Sequence, residues 1–296
     1  MADVPQITDA GADLATAFAN AAKISASQLA LPEGAEKRYQ SVPTDACNYG
    51  KANFWDDRYA RSENAFEWYH PYPALAVLIG QFVNYDDTIL IMGCGNSTLP
   101  EDMYNDGYER IVCVDLSRVV IDQQQEKYAD LPIQWVQMNM CDSLFENEQF
   151  DAVIDKACLD AIYCHELGEA SAKAALQEVD RILKPEGVYF MVSRGLPEER
   201  LEVLEVEDVK EKGYLAWQVQ VHAIAKPAVD VKYIPNLADP TSVYYIYVCE
   251  KDEALHDAKR LWLAKLEAKK RGEGQVKRGR TGRGRRGGRR SRPVGV

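Results

Sequence analysis

The sequence predicts an α/β protein: a seven-stranded, mostly parallel sheet with helices on both faces and an antiparallel edge strand. Three observations predict it. Short β-branched runs alternate with helical patterns through the middle of the chain. The first of these runs, Ile89-Leu90-Ile91-Met92, ends in the glycine turn Gly93-Cys94-Gly95-Asn96-Ser97. The second, Val112-Cys113-Val114, is closed by Asp115, twenty positions after Gly95. Strands alternating with helices specify a parallel sheet covered on both sides, and a glycine turn answered by an acid one strand later is the pattern of a nucleotide site at the carboxyl end of such a sheet.

The elements follow in order. Residues 1–45 are Ala-rich and polar, with a weak helical stretch around 14–24 and a turn at Pro32-Glu33-Gly34, and read as a flexible arm. A compact domain is expected over 46–252. Strands are expected at Thr88–Met92, Ile111–Asp115, Ile133–Gln137, Phe150–Asp155, Val188–Ser193, Trp217–Ala225 and Val243–Cys249, where β-branched and aromatic residues concentrate. Helical patterns occupy Pro71–Phe82, Leu99–Tyr104, Arg118–Tyr128 and Glu169–Leu183, the last halted by Lys184-Pro185-Glu186-Gly187. The long irregular segment between the last two strands suits a reversed edge hairpin. Leu255, Ala258, Trp262 and Leu266 mark one face of a C-terminal helix over 253–270.

Composition narrows the function. At 296 residues the chain can bury one full α/β core. No apolar run approaches the roughly 20 residues of a membrane span, and Met1-Ala2-Asp3-Val4-Pro5 lacks the basic and apolar segments of a targeting peptide. Seven scattered cysteines without paired spacing read as reduced thiols of a cytoplasmic or nuclear protein. No Cys-x-x-Cys pair or histidine cluster suggests a metal site. The net charge of −11 divides into two regions: Lys269 to Val296 holds twelve Lys/Arg against one Glu, and the remainder carries −22. The body should attract basic protein surfaces. The Arg/Gly-rich tail, 271–296, cannot build a core and is expected to be disordered. RNA or ribosome contact, a nuclear address, and a solubilising extension folded on the acidic body are all compatible with it.

The turn also discriminates among nucleotides. A dinucleotide fingerprint requires a third glycine, and a P-loop requires Gly-Lys-Ser/Thr; both are missing from Gly93-Cys94-Gly95-Asn96-Ser97-Thr98. S-adenosylmethionine, which has no pyrophosphate, fits better: its amino-acid part can lie against the turn while its ribose meets Asp115.

Three blocks then carry a family resemblance: Phe54-Trp55-Asp56-Asp57-Arg58-Tyr59 with Phe66-Glu67-Trp68-Tyr69; Ile91–Ser97 with Val114-Asp115-Leu116-Ser117; and Asp155-Lys156-Ala157-Cys158-Leu159-Asp160-Ala161. Over residues 49–250 the chain resembles class I, seven-β-strand methyltransferases with a Rossmann-like fold, in the group that includes lysine methyltransferases of eukaryotic elongation factor 1-alpha. The resemblance implies a lid of Trp55, Tyr59 and Trp68 over the cofactor, with Gly93 and Gly95 as the turn beneath it. It further implies ribose contacts from Asp115 and Leu116, adenine contacts from Asn139 and Met140, and Lys156 at the end of the fourth strand. Asp155, Lys156 and Asp160 become the catalytic candidates, with Asp155 or Asp160 placed to orient an acceptor amine. The family pattern has Asp at position 139 and Gly-Thr where this chain has Ala157-Cys158.

Each assignment has a plainer rival. The aromatics could be core residues of an N-terminal helix, Asp115 could cap a helix near Ser117, and Asp160 could be a surface carboxylate. Two other functions compete with protein-lysine methylation: a small-molecule methyltransferase, and an RNA-associated protein on a degenerate methyltransferase domain.

Overall fold

The computed structural model describes residues 48–61, 64–205, 214–227 and 239–280. The expected N-terminal arm over 1–45 and the last part of the basic tail, 281–296, lie outside the described residues. Among them, seven strands form one sheet: β1 Thr88–Met92, β2 Arg110–Asp115, β3 Gln134–Gln137, β4 Phe150–Lys156, β5 Leu183–Ser193, β6 Trp217–Ala225 and β7 Val243–Lys251. The spatial order is β3-β2-β1-β4-β5-β7-β6. The first five are parallel, whereas β7 runs antiparallel to both β5 and β6, so the reversed strand sits one position in from the edge.

The helices are α1 Ala52–Arg61, α2 Tyr72–Phe82, α3 Leu99–Asp106, α4 Arg118–Lys127, α5 Cys158–Tyr163, α6 Gly168–Ile182, α7 Pro197–Leu204 and α8 Glu253–Arg280. Because side chains alternate across a strand, Ile89 and Ile91 pack with α2, α3 and α4, while Leu90 and Met92 point to the opposite face with α6. On α6, Ala172, Ala175, Leu176 and Val179 recur at helical spacing and are buried. Each fully buried Leu or Ile contributes about 1.5–3 kcal/mol, and both faces of the sheet carry such a layer. The core therefore lies on both sides of β1 and β4.

Two boundaries differ from the sequence reading. Residues 184–187 do not end a helix in a loop; β5 begins at Leu183, pairs with Phe150, and bulges through Glu186, whose φ is 64°. The C-terminal helix extends to Arg280, into the segment expected to be disordered. Residues 265–271 are nearly all straight-chain or Ala, which favour helix enough to carry it past the glycines that follow. The start of α8 is fixed to the body: Asp252 accepts from the Leu255 amide at 2.9 Å, and Lys259 pairs with the buried Asp180.

Candidate active site

The strand order reverses between β1 and β4, where successive connections leave to opposite sides of the sheet. Such a switch point opens a crevice at the carboxyl ends of the strands. Gly93 and Gly95 turn the chain there with φ of 62° and 51°, in the left-handed region that glycine tolerates best. A Cβ on Gly95 would come within 2.8 Å of the Tyr59 hydroxyl, and one on Gly93 within 2.5 Å of Cys158 Sγ. Glycine is thus favoured at both positions on two counts.

Asp115 ends β2 beside this turn. Its Oδ2 accepts from the Gly95 amide and its Oδ1 from the Ser117 amide, both at 2.9 Å. Ser117, not Asp115, is the N-cap of α4, its hydroxyl oxygen accepting from the Val120 amide at 3.4 Å. The same hydroxyl donates to Asp56 Oδ1 at 2.5 Å, which attaches α1. Burial raises the Asp115 carboxyl to about 6, against the opposing pull of the Ser117, Gly95 and Leu116 amides.

A cavity of about 930 Å³ opens over these groups. Eight of the ten residues expected to hold the cofactor line it: Trp55, Tyr59, Trp68, Gly93, Gly95, Asp115, Leu116 and Lys156. Trp55 stacks on Tyr59 with ring centroids 5.8 Å apart, and its Nε1 donates to the Tyr49 carbonyl at 2.6 Å. The Arg58 guanidinium sits 5.9, 5.0 and 5.8 Å from the rings of Trp55, Phe66 and Trp68. Aromatic faces attract cations, so Arg58 holds together the segments that carry Trp55 and Trp68.

Lys156 is buried and paired with Glu67; its ammonium also donates to the Trp68 carbonyl at 3.1 Å. Glu67 in turn accepts from the Thr98 amide at 2.6 Å and from the Ser97 hydroxyl at 2.8 Å, at the start of α3. Burial would raise the Glu67 carboxyl, but Lys156 and these donors hold it below its usual value. Burial lowers the Lys156 ammonium, with Glu67 acting the other way. One carboxylate therefore ties the 66–69 loop to both β4 and α3.

Four expectations change. Asn139 does not line the cavity: it is exposed, and its Oδ1 accepts from the Cys141 amide at 3.0 Å. Met140 is buried in the core on the α6 face. Asp155 is fully buried behind the wall, accepting from the amides of Cys158 and Leu159 at 2.7 and 3.0 Å and from the Tyr189 hydroxyl at 2.8 Å. Burial and the Asp160 charge raise it to about 7, while those donors oppose the shift. Asp160 lines the cavity but is neither a free base nor a surface carboxylate. It accepts from Tyr69, Ser193 and Arg200 at 2.5, 2.6 and 2.8 Å and from the Arg194 amide at 3.0 Å. Burial would raise it, yet Arg200 and these donors keep it ionised.

Sequence reasoning missed Glu67, Tyr69, Arg194, Lys226 and Tyr244, all of which line the cavity. Glu67 and Tyr69 stood in the first family block, so the block was their signal. Arg194 follows β5, Lys226 follows β6 and Tyr244 lies near the start of β7; only sheet pairing brings them together. Ala157 caps α5 with φ of 77°, the position at which the family pattern has glycine.

A seven-stranded sheet with a reversed penultimate strand and a glycine turn beside an acid at the switch point is the architecture of class I methyltransferases. The comparisons agree. The methyltransferase domain family matches residues 90–191. The eEF1A lysine and N-terminal methyltransferase of Bos taurus is 31% identical over 189 residues, covering 62% of this chain and 26% of the relative. EEF1A lysine methyltransferase 4 of Mus musculus is 30% identical over 181 residues, covering 57% of this chain and 68% of the relative. A chain from the complex of the Haloferax volcanii Trm112 methyltransferase activator with a methyltransferase aligns with TM-score 0.50 and 15% identity, over 68% of this chain and 96% of that one. The chain belongs to the class I, S-adenosylmethionine-dependent methyltransferase family, in the group that contains the eEF1A lysine methyltransferases. It spans about a quarter of the length of the eEF1A lysine and N-terminal methyltransferases it matches. No helix among the described residues is long and apolar enough to cross a membrane.

Proposed function

We propose that this chain is a protein-lysine N-methyltransferase of the cytoplasm that acts on a translation elongation factor of the 1-alpha type. The observation that carries the reading is the reach of the cavity. It runs from Asp115 on β2 to Tyr244 on β7, four strand spacings away, or roughly 19 Å at about 4.8 Å per strand. That leaves room for an acceptor beside a nucleoside-sized ligand. The names of the eEF1A-methylating relatives support the same class of substrate. The acidic body is complementary to a basic protein surface.

The residues present fit S-adenosylmethionine. Asp115, a buried carboxylate at the end of β2, would accept from the ribose hydroxyls, with Leu116 beside it. Trp55, Tyr59 and Trp68 would cover the adenine and the sulfonium, and the turn at Gly93 and Gly95 would lie under the amino-acid part. When bound, the cofactor supplies a methyl group on a sulfonium, already activated for displacement. The chain's own residues position the acceptor and exclude water around it. Desolvation against Tyr69 and Tyr244 favours the uncharged, nucleophilic amine. No carboxylate of the described cavity lining is left to serve as a dedicated base: Glu67 is paired with Lys156, Asp160 with Arg200, and Asp115 belongs to the ribose end. Lys156 acts through Glu67 and Trp68, as a positioning residue for the lid.

The test is transfer of a radiolabelled methyl group into a cell extract, with and without protease. Label in one protease-sensitive band migrating with the elongation factor is the expected result. Label that survives protease would replace this reading with a small-molecule acceptor, and absence of label would indicate a degenerate domain.

A further inference from the structure

The far end of the cavity carries two cations that form no ion pair among the described residues. Arg194 follows β5, with its side chain exposed and without a carboxylate partner among the described residues; its amide donates to Asp160. Lys226 follows β6, its Nζ donating to the Thr241 carbonyl at 2.9 Å and lying 5.0 Å from the centre of the Tyr244 ring. Burial and the neighbouring Arg194 hold the Lys226 ammonium below its ordinary range, with the Asp239 carboxylate acting the other way. Asp160 is already matched to Arg200, and Asp239, the carboxylate that acts on Lys226, makes no ion pair with it and turns its oxygens to Thr241 and Ser242. In a body with a net charge of −22, two cations at one end of one cavity, neither in an ion pair among the described residues, are out of keeping with the overall charge.

A lysine entering alone would meet like charge there. The same two cations would favour loss of its proton but would repel it on approach. An anion travelling with the acceptor resolves the conflict. We propose that Arg194 and Lys226 form a carboxylate clamp, selecting an acceptor lysine that has Asp or Glu within three residues of it. The guanidinium presents a planar fork suited to a carboxylate, and Lys226 supplies a point charge partly shielded from water. This rests on the protein-lysine reading given above and adds to it the local chemistry of the substrate.

The test uses the full chain, a cell extract and S-adenosylmethionine carrying an isotopically heavy methyl group, with labelled lysines mapped by mass spectrometry. Expected are sites with a flanking Asp or Glu. For the protein so labelled, KM should rise about tenfold in the variant carrying Arg194→Gln and Lys226→Gln. Neutralising the flanking acid should raise KM similarly with the parent enzyme and no further with the variant. Calorimetric affinity for S-adenosylmethionine should stay within about twofold of the parent, which verifies that the variant is folded. Labelled lysines without a flanking carboxylate, a phosphorylated residue in its place, an unchanged KM, or two effects that simply multiply would each overturn the clamp. Absence of label in any protein would overturn the lysine reading itself, and the clamp with it.

Discussion

The Asp115 carboxylate and the Gly95 amide are 2.9 Å apart, joining the end of β2 to the turn that follows β1. The residue expected to receive the ribose is therefore also a structural strut. Asp115→Ala would remove the acceptor of two amides and should cost about 1–3 kcal/mol of stability, so loss of binding in that variant would not isolate the ribose contact. Asp115→Asn keeps one acceptor oxygen and is the better probe. It should bind S-adenosylmethionine at least about tenfold more weakly by calorimetric titration, with melting shifted by only a few degrees. Unchanged affinity would remove Asp115 from the site.

Asp155 should make stability fall as pH rises. Its folded pKa is about 7, against about 4 in an unfolded chain. Below that lower value both states are protonated and the group contributes nothing. Between the two, the unfolded chain releases the proton while the folded protein keeps it, so the folded state loses ground up to about pH 7 and then levels off. The full window corresponds to roughly 4 kcal/mol by linkage. Urea unfolding of the parent and of Asp155→Asn from pH 4 to 8 should show the difference between them changing across that interval; a constant difference would refute the assignment.

The Glu67–Lys156 pair should be worth more as a pair than either member alone. Glu67→Gln leaves a buried ammonium unmatched and is expected to destabilise by about 3–5 kcal/mol. Adding Lys156→Met to it should recover part of that loss, since the charge requiring a partner is gone. A thermodynamic cycle of the parent, both single variants and the double measures the coupling. Strict additivity would mean that the two do not interact.

Ala157→Gly should stabilise the protein. Ala157 has φ of 77°, a conformation that costs an L-residue about 1–2 kcal/mol. Glycine relieves it, less about 0.4–1 kcal/mol of added freedom in the unfolded chain. A gain of about 0.5–1 kcal/mol in chemical denaturation is expected; a loss would show that the alanine methyl makes contacts that outweigh the backbone strain.

What was legible in the sequence was local. β-Branched runs, the φ-permissive glycines and an acid at a fixed interval identify β1, β2 and the turn, because the physics acts over a few residues. The short helices were harder. α5 is six residues long and is capped by Ala157 without a side-chain bond, so no Ser, Thr, Asp or Asn announces it. The far end of the cavity was not legible at all, since Arg194, Lys226 and Tyr244 meet only after β5, β6 and β7 pair. Asn139 and Met140 show the limit of analogy: the chain after β3 closes an Asx turn onto Cys141 and sends the methionine into the core.

Glu67 has a consequence for rates. The loop carrying Trp68 and Tyr69 is fastened at one carboxylate to the amide that opens α3 and to an ammonium inside the sheet. Any swing of that loop wide enough to exchange one nucleoside for another must first separate opposite charges in a poorly hydrated place. Residence time, more than affinity, should then be set by this fastening, and spent cofactor should leave slowly.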